Sequence, residues 1–170
     1  GRFELYDGLA EMNGWAPTVA VVTGNAVDGH AAIAMLCDLV ITSSDASFGS
    51  ADGRSRKVTD FAKTGDVDVV ANNECDAIEE ARRYLSFYLT EPSSGNAPPD
   101  AEHIADIIPQ NRRRPYDMRK VIASFADADS TLELGADWGR SMLTVLARLG
   151  GRTVGIYANQ PKSPLAGAID

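Results

Sequence analysis

Gly24-Asn25-Ala26-Val27-Asp28-Gly29-His30-Ala31-Ala32-Ile33-Ala34-Met35-Leu36-Cys37-Asp38 is the stretch that decides how this chain folds. Before it lies Thr18-Val19-Ala20-Val21-Val22-Thr23, a β-branched run that is apolar on both faces, as a buried parallel strand is. Gly24 to Gly29 is rich in turn residues. His30 to Cys37 is apolar apart from His30 and predicts a buried helix, and Leu39-Val40-Ile41-Thr42 predicts a second strand. Strand, turn, helix and strand within about 25 residues is the pattern of α/β architecture with a parallel sheet. The first amides of a helix have no intrahelical acceptor and carry partial positive charge, and glycine lets a ligand approach the backbone closely. Such a junction can polarise a carbonyl oxygen and hold the anion that develops on it. A purely structural helix start has the same pattern, and the pattern alone leaves both readings open.

Working outward, Leu5, Leu9 and Met12 recur at helical spacing and predict an amphipathic helix over residues 3–14, with Gly14 as its C-cap. Residues 50–66 are polar, with Gly53, Gly65 and four basic residues, and read as a loop. Val67 to Val70 predicts a short strand. Asp76 to Glu79 has capping-box spacing ahead of a helix over 77–89, with Ile78, Ala81, Leu85 and Tyr88 as its apolar face. Residues 90–99 hold three prolines, two serines and a glycine and read as a linker. Asp117 is placed to cap a helix with Met118, Val121, Ile122 and Phe125 on one face. Ser141–Leu149 and Arg152–Asn159 predict two strands joined at Gly150-Gly151, a hairpin signal.

The 170 residues suffice for one good core or parts of two domains, and 44% hydrophobic with 24% charged residues is an ordinary globular balance. A net charge of −8 argues against nucleic acid as the main partner. No apolar run approaches the roughly 20 residues of a membrane span. The opening residues lack a signal-peptide pattern and an initiator Met, so the sequence is expected to be cut from a longer protein. Cys37 and Cys75 lie far apart without metal or redox spacing, which favours a reducing, cytoplasmic setting. Neither His30 nor His103 has the companions of a metal site or a catalytic triad, so no metal is expected.

The stretch from Gly24 to Asp38, a glycine turn and a helix ending in Leu36-Cys37-Asp38, resembles the crotonase-superfamily signature. That resemblance implies a crotonase-like ββα spiral that binds acyl-CoA thioesters and stabilises their enolates with backbone amides. Gly29 falls on the glycine whose amide is an oxyanion donor, with the His30 amide as second candidate. Gly24, Ala26, Val27 and Asp28 would line the substrate. In the hydratase branch a catalytic glutamate lies three residues after the glycine. Ala32 stands there, so hydration by that route is excluded.

Within the superfamily, the chain is most similar to the carboxyltransferase component of biotin-dependent acyl-CoA carboxylases, of acetyl-/propionyl-CoA carboxylase beta type. The similar segments, in family order, are GRFELYDGLAEMNGWAPTVAVVTG, SDASFG, DVDVVANNECDAIEEARRYLSFY, IIPQNRRRPYDMRKVIASFAD, GRTVGIYANQP and LAGAID. The resemblance implies that residues 1–92 are the C-terminal part of a carboxyltransferase N-domain, 93–112 a linker, and 113–170 the start of the C-domain. It implies carboxyl transfer from carboxybiotin to the α-carbon of an acyl-CoA. Biotin would be carried on a separate protein or domain, with biotin carboxylase and biotin carrier protein as partners and a homo-oligomer, a hexamer in the family. Tyr157 and Asn159 would lie on the biotin side. A second oxyanion hole is expected after Asp170, so the chain alone is expected to be inactive.

Three departures stand out. Asp28 replaces a residue that is usually Gly or Ala. The segment from Gly49 to Thr64 is short and basic. Lys162-Ser163-Pro164 is one residue longer than the usual spacing. They keep two alternatives open: an acyl-CoA decarboxylase or hydrolase on the same scaffold, and a non-catalytic assembly subunit. Arg112-Arg113-Arg114, Arg54, Arg56 and Lys57 could meet CoA phosphates or be a solvated charge run. Cys37 reads as a small hydrophobe, and Trp15 and Trp138 as core or interface aromatics.

Overall fold

A computed structural model describes residues 2–49, 55–89, 104–111 and 113–168. The linker at 90–99, His103, Arg54, Arg112 and the Arg56 side chain lie outside the described residues. The chain divides into two compact units, Gly1–Ser86 and Phe87–Asp170.

The first unit is built on a parallel sheet in which β3 (Leu39–Ser43) lies between β1 (Val19–Val22) and β6 (Val69–Ala71). Every residue of β3 is buried, as its unbroken apolar start requires. A second small sheet has β4 (Ser47–Gly49) between parallel β2 (Asn25–Ala26) and antiparallel β5 (Ser55–Lys57). The helices are α1 (Arg2–Met12), α2 (Gly29–Met35), α3 (Val58–Thr64) and α4 (Glu74–Ser86). Phe48 and Phe61 meet edge-to-face with ring centres 5.2 Å apart, in a core shared with Ala31, Ala34, Val40, Val58 and Val67.

Several expectations change. Residues 55–64, read as loop, form β5 and α3. Val58 and Ala62, one helical turn apart and both buried, supply a short apolar stripe that the surrounding charges concealed. Helix α4 starts at Glu74, not Ala77, because Asn73 caps it by accepting from the Asp76 amide at 3.0 Å. Its buried face is Ala77, Ala81 and Tyr84, while Ile78, Leu85 and Tyr88 are exposed. Helix α2 buries only Ala31 and Ala34, and Met35 and Leu36 are exposed. Leu5 and Met12 of α1 and both tryptophans are exposed, with Trp15 at 90%, so none is core in this chain.

In the second unit α5 (Ile104–Ile107) precedes α6 (Met118–Phe125), followed by an antiparallel sheet in the order β7 (Leu132–Leu134), β8 (Met142–Leu149), β9 (Arg152–Asn159). Asp117 caps α6 through the Arg119 amide at 3.1 Å, as its position predicts. Ile122 and Ala126 pack against Leu143, Val145 and Ala147 of β8. Gly150 and Gly151 both take positive φ, 58° and 80°, which a two-residue I′ hairpin demands. Buried Asp127 accepts from both glycine amides, at 2.8 and 2.7 Å, and so holds the hairpin turn.

Candidate active site

The turn between β2 and α2 is a type II′ turn. The His30 amide donates to the Val27 carbonyl at 3.1 Å, Asp28 takes φ 50° and ψ −120°, and Gly29 is already helical. The first central position of this turn belongs to glycine. An aspartate there carries backbone strain of about 1–3 kcal/mol. No side-chain cap bond from Asp28 offsets it. The Asp28 carbonyl accepts from the Ala32 amide at 3.0 Å, closing the first turn of α2. The Gly29 amide is the first of the helix and has no intrahelical acceptor.

Beside this turn lies a cleft of about 390 Å³ lined by Leu5, Tyr6, Val27, Asp28, Gly29, His30 and Ile33. Two neighbours that sequence reasoning missed hold the turn. The Tyr6 hydroxyl donates to the Gly29 carbonyl at 3.3 Å and ties α1 to the start of α2. On the other side, Gly49 lies so close that a Cβ there would sit 2.7 Å from Val27 Cα. A glycine ending a strand is a sequence signal for close backbone approach, and Gly49 carried it unread. Ser47 also donates its hydroxyl to the Asn25 side chain.

Of the expected substrate-side residues, Val27, Asp28, Gly29 and His30 line the cleft. Ala26 is buried in β2, and the Gly24 carbonyl accepts from the Ser47 amide at 3.1 Å. The His30 amide, the second expected donor, already donates to the Val27 carbonyl. Asp38 is structural: its carboxylate accepts from the Thr18 amide and hydroxyl at 2.7 and 2.8 Å, joining β1 to β3. Burial pushes the Cys37 thiol up, opposed by Thr18 and reinforced by Asp38, which makes it a poor nucleophile.

In the second unit the side chains of two signature segments meet. Gln160, 2% exposed, donates to Asp117 at 2.8 Å and accepts from the Met118 amide at 3.0 Å. Arg119 grips Glu133 with two bonds of 2.6 Å. Asn159 spends its amide N–H on the Gly167 carbonyl at 2.6 Å, whereas Tyr157 is 77% exposed on the edge strand β9. Arg113 and Arg114 are exposed, as is Lys57. Among the described residues no group of three His, Cys, Asp or Glu side chains is placed to hold a metal, and no helix is long and apolar enough to cross a membrane.

The carboxyl transferase domain model matches residues 57–170. The chain belongs to the carboxyl transferase domain family. It is 29% identical over 179 residues to the beta6 subunit of a biotin-dependent acetyl-/propionyl-coenzyme A carboxylase of Mycobacterium tuberculosis, covering 93% of this chain and 37% of that subunit. It is 28% identical over 193 residues to the methylmalonyl-CoA carboxyltransferase 12S subunit of Propionibacterium freudenreichii subsp. shermanii, covering 100% of this chain and 36% of that subunit. Among solved structures, it is similar to a single-chain, multi-domain long-chain acyl-CoA carboxylase, with a TM-score of 0.89 and 32% identity over 97% of this chain and 18% of that one. A transcarboxylase 12S crystal structure with methylmalonyl-CoA bound matches with a TM-score of 0.84 and 27% identity, over 99% of this chain and 37% of that one. These carboxyltransferases share its mixed α/β, crotonase-like fold. The chain spans little more than a third of the length of the curated relatives it matches.

Proposed function

We propose that the protein containing this chain transfers a carboxyl group to the α-carbon of an acyl-CoA of the acetyl- or propionyl-CoA class. The observation that carries this reading is the Gly29 amide, the first of α2, beside a cleft of about 390 Å³ in a chain of the carboxyl transferase family. Carboxybiotin, presented by a separate protein or domain, supplies the carboxyl group. The role of this chain is to bind the thioester. Leu5, Val27 and Ile33 form the apolar wall, and the Gly29 N–H meets the thioester oxygen as loss of the α-proton turns it into an enolate oxygen. A preorganised donor aimed at that charge contributes about 10²–10³ in rate. Ala32 offers no carboxylate for the hydratase route.

The residues expected on the biotin side fit that role only in part. Asn159 already holds the turn at Gly167, which leaves Tyr157 as the side chain free to meet an incoming group. The same reading includes biotin carboxylase and biotin carrier protein as partners, a homohexamer, and a cytoplasmic setting, which suits two free thiols. It also retains the expected domain division at residues 93–112.

The test uses the intact protein with its biotin carrier. Propionyl-CoA or acetyl-CoA should be carboxylated, avidin should abolish the reaction, and a photoreactive acyl-CoA should label the segment from Leu5 to Ile33. Avidin-insensitive decarboxylation or hydrolysis would establish the first alternative. One observation favours the non-catalytic alternative: the aspartate at position 28 lines the cleft. Failure of any acyl-CoA to bind would decide for it.

A further inference from the structure

Asp28-Gly29 is a dipeptide whose own preference opposes the turn it occupies. Asp-Gly favours the I′ turn, with positive φ at both central residues, whereas a II′ turn asks for glycine first. Here Asp28 takes φ 50° and ψ −120°, and Gly29 is helical. The two turns keep the same closing bond from the His30 amide to the Val27 carbonyl, 3.1 Å here. They differ by rotation of the single peptide between their central residues. That rotation exchanges the Gly29 N–H with the Asp28 C=O. It moves Asp28 toward the left-handed region that aspartate tolerates and gives Gly29 the positive φ that glycine takes freely. Against it stands the bond from the Ala32 amide to the Asp28 carbonyl, 3.0 Å, which the rotation breaks. Aspartate keeps some strain in the left-handed region, so only part of the strain at Asp28 is relieved, and that part and the forfeited bond, about one order of magnitude in population, nearly cancel.

We infer that Asp28 is a positioning residue: it sets the fraction of molecules in which the Gly29 amide, rather than the Asp28 carbonyl, is offered to the cleft. The consequence for binding rests on the acyl-CoA reading above. A ligand that needs the amide binds with an apparent affinity reduced by the competent fraction. The flipped turn offers a carbonyl oxygen, which repels the oxygen of a thioester. The Tyr6 hydroxyl, bonded to the Gly29 carbonyl at 3.3 Å, braces the peptide that follows, so the rotation is confined to the Asp28–Gly29 peptide.

The experiment compares intact wild-type protein with Asp28→Gly and Asp28→Ala, by calorimetric titration with propionyl-CoA and by high-resolution crystal structures. Glycine accepts the II′ position without strain, so Asp28→Gly should bind about twofold tighter. KM for the acyl-CoA should fall by the same factor, with kcat changed less. Asp28→Ala removes the same charge but keeps a Cβ at positive φ, so it should bind no tighter than wild type. Wild-type density should show a second peptide orientation with positive φ at Gly29, reduced to a minor fraction in Asp28→Gly. Equal tightening by glycine and alanine would assign the effect to charge and overturn the inference, as would a single II′ conformer in wild type or unchanged affinity in both variants. If no form binds propionyl-CoA but the second orientation is present in wild type and reduced in Asp28→Gly, the peptide equilibrium stands and the acyl-CoA reading falls.

Discussion

Gly49→Ala should damage the turn at Gly29 from the neighbouring strand β4. The added Cβ would lie 2.7 Å from Val27 Cα, 2.8 Å from its Cγ1 and 2.9 Å from its Cβ. Carbon atoms rest at about 3.5–4.0 Å, so the two segments must part by about 1 Å. The obstacle is Val27 backbone, which no rotamer change can move, and both segments are held, β2 and β4 by their pairing and Phe48 by a fully buried ring. Overpacking of this kind costs about 1–3 kcal/mol. Val27 is the first residue of the II′ turn, so the displacement passes to Gly29, and a misplacement of about 1 Å at a reacting centre costs about 10²-fold in rate. The assay pairs urea unfolding of the intact protein with acyl-CoA titration and turnover. Gly49→Ala should lose stability and acyl-CoA affinity together, while Gly24→Ala, whose Cβ would meet open space, should change stability little. A Gly49→Ala protein with wild-type stability and affinity would show that the close approach to Val27 does not position the turn.

Asp127→Ala should lower unfolding stability by about 2–4 kcal/mol, because it strands two hairpin amides that a buried carboxylate now satisfies, and Asp127→Asn should recover part of that loss. The Asp117 carboxyl is held below its ordinary value of 3.8. Burial raises it, but the hydrogen bonds from Gln160 and the Arg119 amide and the charges of Arg119 and Lys162 outweigh that. A depressed folded pKa stabilises above the unfolded value and is lost as pH falls through the folded one. The stability gap between wild type and Asp117→Asn should therefore be full above pH 3.8 and close in stronger acid, as unfolding midpoints across pH will show. Exposed Cys75 should react with a thiol reagent well before Cys37, whose thiol is partly buried and shifted up, and mass spectrometry of Cys37→Ser and Cys75→Ser will assign the rates.

The framework was legible wherever local chemistry and tertiary contact agree. Val19–Val22 and Leu39–Ser43 are β-branched or apolar and are strands. Asp117 caps its helix, and Gly150-Gly151 turns its hairpin. Where two local signals competed, sequence reasoning took the wrong one. Asp76 resembled a cap, but Asn73 lies three residues earlier and accepts from its amide, and packing buries the face of α4 that carries Ala77, Ala81 and Tyr84. Small residues weigh little on any apolar scale, so a face of alanines loses to Ile78 and Leu85 in a reading by hydrophobicity. The stripe of Val58, Phe61 and Ala62 spans little more than one helical turn and did not outweigh the charges around it. At the turn, Asp28-Gly29 was visible, but its II′ conformation was not, because the dipeptide alone prefers I′.

The two kinds of feature in this chain divide the labour unevenly. Asp38 joins β1 to β3, Asp117 and Gln160 join the start of α6 to the end of β9, and Arg119 reaches Glu133 of β7. Asp38, Asp117, Arg119 and Gln160 lie in the segments that resemble the family, and each is spent on a structural contact. The group proposed to meet the substrate is an amide, which every residue except proline possesses. Identity at position 29 therefore carries no charge and no nucleophile. It matters through what glycine leaves out, since a Cβ there would come within 3.3 Å of the Tyr6 hydroxyl. In such a site the sequence acts on chemistry only through geometry. The substitutions that alter it most are then those that move a peptide plane, and Asp28, which holds the least comfortable backbone angles of the turn, is the residue with the most leverage over it.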